Sequence, residues 1–139
     1  MLGQVLAEFA GRVRLVYKDF PLPSHAGARP AAEAARCAAD QGQFWPYHDL
    51  LFLARPAFSR EALIGYAERL RLDRAAFVAC LDGGVHREAV SADVAQGRAL
   101  GVTGTPTFFV NGKQLVGAQP LEAFREAVQQ ALDEAARPR

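Results

Sequence analysis

A proline stands at the mouth of a short apolar run in Val102-Thr103-Gly104-Thr105-Pro106-Thr107-Phe108-Phe109-Val110-Asn111-Gly112, and no other stretch of the 139 residues restricts the fold as tightly. Proline has no N–H to give to a β-ladder, so at a strand entrance it needs a sheet edge, a bulge or a cis peptide bond. Asn111-Gly112 follows the run directly, and Asn-Gly between apolar stretches is a strong hairpin signal because both residues tolerate positive φ. The spacing predicts one strand at Thr107–Val110 and its partner near Gln114–Gly117.

Most of the remaining chain reads as helix. Leu2, Val5, Leu6 and Phe9 share one helical face, and Gly11 supplies a stop. Val13–Phe20 is rich in β-branched and aromatic residues and reads as a mostly buried strand, ended by Pro21 and Pro23. Pro30 suits the first turn of an alanine-rich helix running to Asp40, closed by Gly42. Phe44–Phe52 opens another helix whose aromatics are expected to pack. Ser59 and Asp73 are N-caps for helices reaching Leu70 and Leu81, and Gly83-Gly84 ends the second. A further helix spans about His86 to Leu100, stopped by Gly101, and Pro120 starts a last one with Leu121, Phe124, Val128 and Leu132 along one face. A sheet of about three strands is marginal without helices over it, so the order implies an α/β fold with a helical excursion, about residues 26–100, inserted between its strands. Nothing divides the chain, which reads as one domain over 1–139.

Composition removes several function classes. Sixteen basic and fifteen acidic groups leave a net charge of +1, so no basic stripe recommends a nucleic-acid surface. The apolar stretches fall far short of the ~20 residues a membrane span needs. His25, His48 and His86 have no Asp, Glu or Cys at ligand spacing, so no metal is expected; His48 reads as a capping or core residue and His25 as solvated. No Gly-rich phosphate loop or Gly-x-Ser-x-Gly elbow appears, and no cofactor is expected. Arg69, Arg71 and Arg74 read as a solvated face, and Lys18-Asp19 as a surface ion pair. Cys37 and Cys80 are the only cysteines. They are either a structural disulfide, worth about 4 kcal/mol for a closed loop of about 44 residues, or two buried thiols acting as small hydrophobes. Neither sits at a helix N-terminus, where a reactive thiolate is favoured, so catalysis by this pair is not expected.

Four segments in this order carry a resemblance: Val13–Pro23 ending Lys-Asp-Phe-Pro-Leu-Pro, Ala31–Phe52 with Cys-Ala-Ala-Asp-Gln-Gly-Gln-Phe-Trp-Pro-Tyr-His-Asp, Phe77–Asp82, and Leu100–Gln119 with Gly-Val-Thr-Gly-Thr-Pro-Thr-Phe-Phe-Val-Asn-Gly. Together they resemble the DsbA-like thioredoxin-fold family of thiol–disulfide oxidoreductases over essentially the whole chain. The resemblance implies a thioredoxin-like fold with an inserted helical subdomain and a cis-proline at Pro106. It also implies that the Thr105 backbone pairs with an extended polypeptide substrate or redox partner protein. That family places a strand and a redox-active Cys-x-x-Cys ahead of a segment like Leu2–Phe9, and the chain contains no Cys-x-x-Cys. It therefore reads as an N-terminally truncated member, inactive alone, in which Thr105 and Pro106 are carried over as substrate-binding residues and no catalytic residue is. Two alternatives follow. One is a noncatalytic peptide-binding module that forms homo-oligomers through an exposed sheet edge. The other is a glutathione-linked relative, such as a kappa-class transferase or chromene-carboxylate isomerase, although those carry a longer helical region. By resemblance the location is extracytoplasmic, where Cys37 and Cys80 would be joined; in the cytoplasm they would be free thiols.

Overall fold

The computed structural model of the protein describes residues 2–53 and 57–137. Its elements run α1 (Leu2–Glu8), α2 (Ala28–Ala39), α3 (Phe44–Leu53), α4 (Arg60–Arg69), α5 (Arg74–Asp82), α6 (Arg87–Ala99), β1 (Thr107–Val110), β2 (Lys113–Val116) and α7 (Leu121–Ala135). They fall into two compact units, one built from the first 18 residues with the stretch from Gly101 onward, the other from Asp19–Leu100.

In the first unit β1 and β2 pair antiparallel with Thr107 opposite Val116 and Val110 opposite Lys113. Asn111 and Gly112 make the turn with φ of 48° and 90°, the positive pair a two-residue hairpin demands. Pro120 caps α7, whose Phe124 and Val128 are buried together with Val5 and Phe9 from the N-terminal segment. Phe108, Val110 and Leu115 of the hairpin pack on the same cluster. Phe108 meets Phe124 edge-to-face with ring centres 4.8 Å apart, an arrangement the aromatic quadrupoles favour.

Val13–Phe20 departs from expectation: it forms no strand. Val16 and Tyr17 are 57% and 42% exposed, and Asp19 is the buried member of the segment. Val, Leu and Tyr fit a pleated surface, but a strand exists only through a ladder partner, and the described sheet consists of β1 and β2 paired with each other.

The second unit is organised on α2. Pro30 lies in its first turn, and Ala31, Ala34, Ala35, Cys37 and Ala38 are buried. Small side chains let neighbouring helices approach, and α3, α4, α5 and α6 all pack on α2. Gly27 enters the helix with φ +82°, and a Cβ there would stand 3.0 Å from the Phe58 side chain. Tyr47, Leu63 and Phe77 fill the space around the alanines. The buried Tyr47 hydroxyl donates to the Leu63 carbonyl at 2.8 Å, and burial pushes its pKa up. Ser59 and Asp73 act as N-caps, accepting from the Ala62 and Ala76 backbone N–H groups at 3.1 and 3.0 Å.

The aromatics of α3 do not all pack. Tyr47 is fully buried, whereas Trp45 is 42% and Phe52 72% exposed. The helical period explains the split, since Tyr47 and Leu51 (i, i+4) face the core while Trp45, His48 and Phe52 (i, i+3, i+7) share another face. On that face the His48 ring lies 5.2 Å from Trp45 and 4.5 Å from Phe52.

Two substitutions separate local from tertiary contributions. Asp73→Ala removes one cap and is expected to cost about 1 kcal/mol. Phe77→Ala empties the core and is expected to cost about 3–5 kcal/mol. Urea unfolding followed by far-ultraviolet circular dichroism checks both, and an equal loss in the two variants would contradict this ranking.

Candidate functional site

Three groups of side chains can bear function. The first is the loop that enters β1. The Thr105–Pro106 peptide bond is cis, and both residues are exposed. The Pro106 carbonyl accepts from the Gly117 N–H at 2.8 Å, and the Thr107 hydroxyl donates to the Gly104 carbonyl at 2.7 Å, so the loop is braced on either side of the proline. The hairpin ladder starts at Thr107. Among the described residues, no hydrogen bond engages the N–H or carbonyl of Thr105. An extended chain laid against that point would find a backbone donor and acceptor free to pair.

The second group lies in the helical unit. Cys37 of α2 and Cys80 of α5 are joined in a disulfide with Cα atoms 5.9 Å apart. Cys37 is 1% exposed. The expectation of three isolated histidines fails at His86, because the fold brings it to this disulfide. Its ring nitrogen lies within 4.8 Å of both sulfurs, and Nε2 is 2.7 Å from the Asp40 carboxylate. Asp40 also lies 3.6 Å from the Cys80 sulfur. The linear sequence conceals the cluster because its members come from three elements: α2 and its C-cap, α5, and the N-cap of α6. His25 is exposed in a loop, as expected. His48 sits among Phe44, Trp45 and Phe52, 3.2 Å from Asp49. Arg69, Arg71 and Arg74 are exposed.

The third group was missed in the sequence. Asp19 is not half of a surface ion pair: its side chain is 7% exposed and accepts from Arg36 Nε at 2.7 Å. The same guanidinium donates to Asp93 at 2.7 Å, and the Asp93 carboxylate also accepts the Asp19 backbone N–H at 2.9 Å. Desolvation raises the Asp19 pKa above its ordinary value, outweighing the opposing pull of Arg36. The available signal was an arginine inside an otherwise alanine-rich helical face, a residue that is rarely buried without a partner.

The Thioredoxin_4 family, described as thioredoxin, matches residues 1–130. The chain belongs to the thioredoxin family. A thioredoxin-like oxidoreductase from Silicibacter pomeroyi DSS-3 superposes with a TM-score of 0.82 at 25% identity, covering 94% of this chain and 75% of that one. The thiol–disulfide exchange protein alpha-DsbA2 from Wolbachia pipientis, at 20% identity, shows the same fold with a TM-score of 0.80, covering 93% and 70% of the two chains. The DsbA-like resemblance and the thioredoxin-like α/β fold therefore stand. In sequence the chain is 44% identical over 112 residues to a Na⁺/H⁺ antiporter NhaA of Herminiimonas arsenicoxydans, covering 81% of this chain and 18% of the antiporter. It is 40% identical over 129 residues to Na⁺/H⁺ antiporter NhaA 1 of Salinispora arenicola, covering 92% and 20%. The chain thus spans about a fifth of the length of these curated relatives. Among the described residues no helix is long and apolar enough to cross a membrane.

The Arg36 network has a pH signature. A carboxyl whose folded pKa exceeds its unfolded value binds its proton more tightly in the folded state. The contribution of Asp19 is therefore greatest below the model-compound value of 3.8 and fades as pH rises through the raised value. Arg36→Met leaves Asp19 and Asp93 together without their cation, and the expected loss at neutral pH is about 3–5 kcal/mol. Protonating Asp19, whose pKa burial raises, relieves the repulsion, so the loss should shrink as the pH falls. Urea midpoints measured from neutral pH downward check it, and a loss that does not change with pH would contradict the assignment.

Proposed function

We propose that this 139-residue chain binds extended polypeptide at the Thr105–Pro106 loop and does not by itself catalyse dithiol–disulfide exchange. The observation carrying this reading is the exposed Thr105, whose backbone groups are unengaged among the described residues at the start of a braced hairpin. Strand addition at such a point gives affinity through the main chain and accepts many sequences. The thioredoxin family supports the polypeptide class of ligand.

The exchange chemistry of the family needs a thiolate that both attacks and leaves, and a helix N-terminus lowers the thiol pKa to provide it. Cys37 lies in the last turns of α2 and Cys80 near the end of α5, at the helix ends where the dipole disfavours an anion. Their disulfide reads as structural, and it favours an oxidising, extracytoplasmic setting.

The test has two arms. In an insulin-reduction assay the chain should show no turnover above the uncatalysed rate. Titration with reduced, alkylated insulin B chain should shift the amide resonances of Thr105 and Thr107. Turnover abolished by Cys37→Ser, or saturation without movement at Thr105, would overturn the reading. A second copy is the competing occupant of an open sheet edge, and light scattering at tens of micromolar distinguishes it from peptide binding.

A second reading is favoured by relatives that share 40–44% identity and are named Na⁺/H⁺ antiporters. On it, this domain is carried by a longer antiporter-type polypeptide and presents the same loop beside a membrane. Immunoblotting of native membranes should then find it in a band several times larger than 15.0 kDa. A soluble band at that mass would exclude it.

A further inference from the structure

We propose that reduction of the Cys37–Cys80 disulfide converts this corner of the helical unit into a zinc site formed by Cys37, Asp40, Cys80 and His86. The inference concerns residues other than those of the polypeptide-binding loop and does not depend on it.

The donor set is the kind zinc takes: two thiolates, an imidazole nitrogen and a carboxylate oxygen. Cys37 and Asp40 are three residues apart at the end of α2, which puts them on one side of the helix. Cys80 lies in the last turn of α5, and His86 stands at the N-cap of α6 beyond the Gly83-Gly84 turn. The order Cys-x2-Asp … Cys-x5-His approaches the paired short spacings of structural zinc sites.

The distances fit as well. Zinc–sulfur bonds of about 2.3 Å and zinc–nitrogen or zinc–oxygen bonds of about 2.0–2.2 Å give tetrahedral edges of about 3.3–3.8 Å. Asp40 already lies 3.6 Å from the Cys80 sulfur, and the two sulfurs and a His86 ring nitrogen lie within 4.8 Å of one another. The 2.7 Å contact between His86 and Asp40 must open by about half an ångström. In the oxidised chain each sulfur is committed to the other, and His86 is held by Asp40 instead. The two sulfurs and the imidazole are thus gathered in one place by three elements, with Asp40 in contact with His86 and beside the Cys80 sulfur.

The conversion balances. A dithiol reductant supplies two electrons and two protons, the sulfur–sulfur bond breaks to give two thiols, and the reductant leaves as its own disulfide. Zn²⁺ then enters as the two thiol protons pass to solvent, and His86 and Asp40 complete the four-coordinate set.

The experiment uses the full chain, reduced anaerobically with excess dithiothreitol and desalted, with its thiols counted by alkylation. Gel filtration with Zn²⁺ followed by elemental analysis should find one equivalent on the reduced chain and none on the oxidised one. Co²⁺ in place of zinc should give the intense visible absorption of a tetrahedral thiolate site. His86→Ala and Asp40→Ala, both of which keep the disulfide as a folding aid, should each weaken binding to the reduced chain at least about tenfold. If reduction unfolds the chain, Zn²⁺ should restore its helical circular dichroism. Failure of two counted thiols to bind zinc, failure of zinc to restore a reduced unfolded chain, or unchanged affinity in both variants would each overturn the proposal.

Discussion

The alanine face of α2 is the constraint on which the helical unit depends. Ala34 and Ala38 are wholly buried and Ala31 and Ala35 nearly so, which lets α3, α4, α5 and α6 approach one helix. Close approach multiplies weak dispersion contacts, and it also decides which side chains beyond the alanines find each other. The large groups in the remaining space, Tyr47, Leu63 and Phe77, come from three different helices. Alanine on one helix and bulk on its neighbours is a complementary division of volume.

The polar clusters follow from the same approach. α6 meets α2 through its N-cap His86 and through Asp93, spaced as i and i+7 along one face, and the fully buried Val90 lies between them on that face. His86 reaches Asp40 and Asp93 reaches Arg36, so the pairs run in opposite senses along the two helices. That alignment is antiparallel and ties α6 to α2 at two points, about two turns apart on α6 and about one turn apart on α2. Removing Arg36 would leave two nearly buried carboxylates facing one another, whereas the exposed pairs, such as Arg60 with Asp82, contribute little at their positions.

The hairpin unit rests on different physics. Its β1 is largely half-buried and its β2 largely exposed, and the pair is held by the aromatic contact of Phe108 with Phe124 and by the burial of α7 against Val5 and Phe9. The exposed residue before Pro106 is consequently presented on a small sheet backed by a helix. On the proposed reading of that loop, a hairpin backed by a helix would present Thr105 to an extended chain at a lower ordering cost.

Local chemistry was legible in the sequence wherever one or two residues decide it. Asn111-Gly112 specified the hairpin turn, Ser59 and Asp73 the two caps, and the apolar period from Leu121 to Leu132 the buried face of α7, because each depends on neighbours within a helical turn or a single reverse turn. The same was true of the Thr105–Pro106 loop, where a missing N–H narrows the backbone options at that residue alone. What depends on partners far along the chain was not legible. Val13–Phe20 has a strand's composition without a ladder, and Trp45 and Phe52 are aromatic without a covering surface. Arg36 is charged yet engaged by two nearly buried acids, one of them 57 positions away. Cys37, Asp40, Cys80 and His86 look unrelated in one dimension and become neighbours only because four helices close on a stripe of alanine. Turns and caps are short-range and readable one residue at a time, whereas burial, charge pairing and ligand clustering are properties of the packed helices.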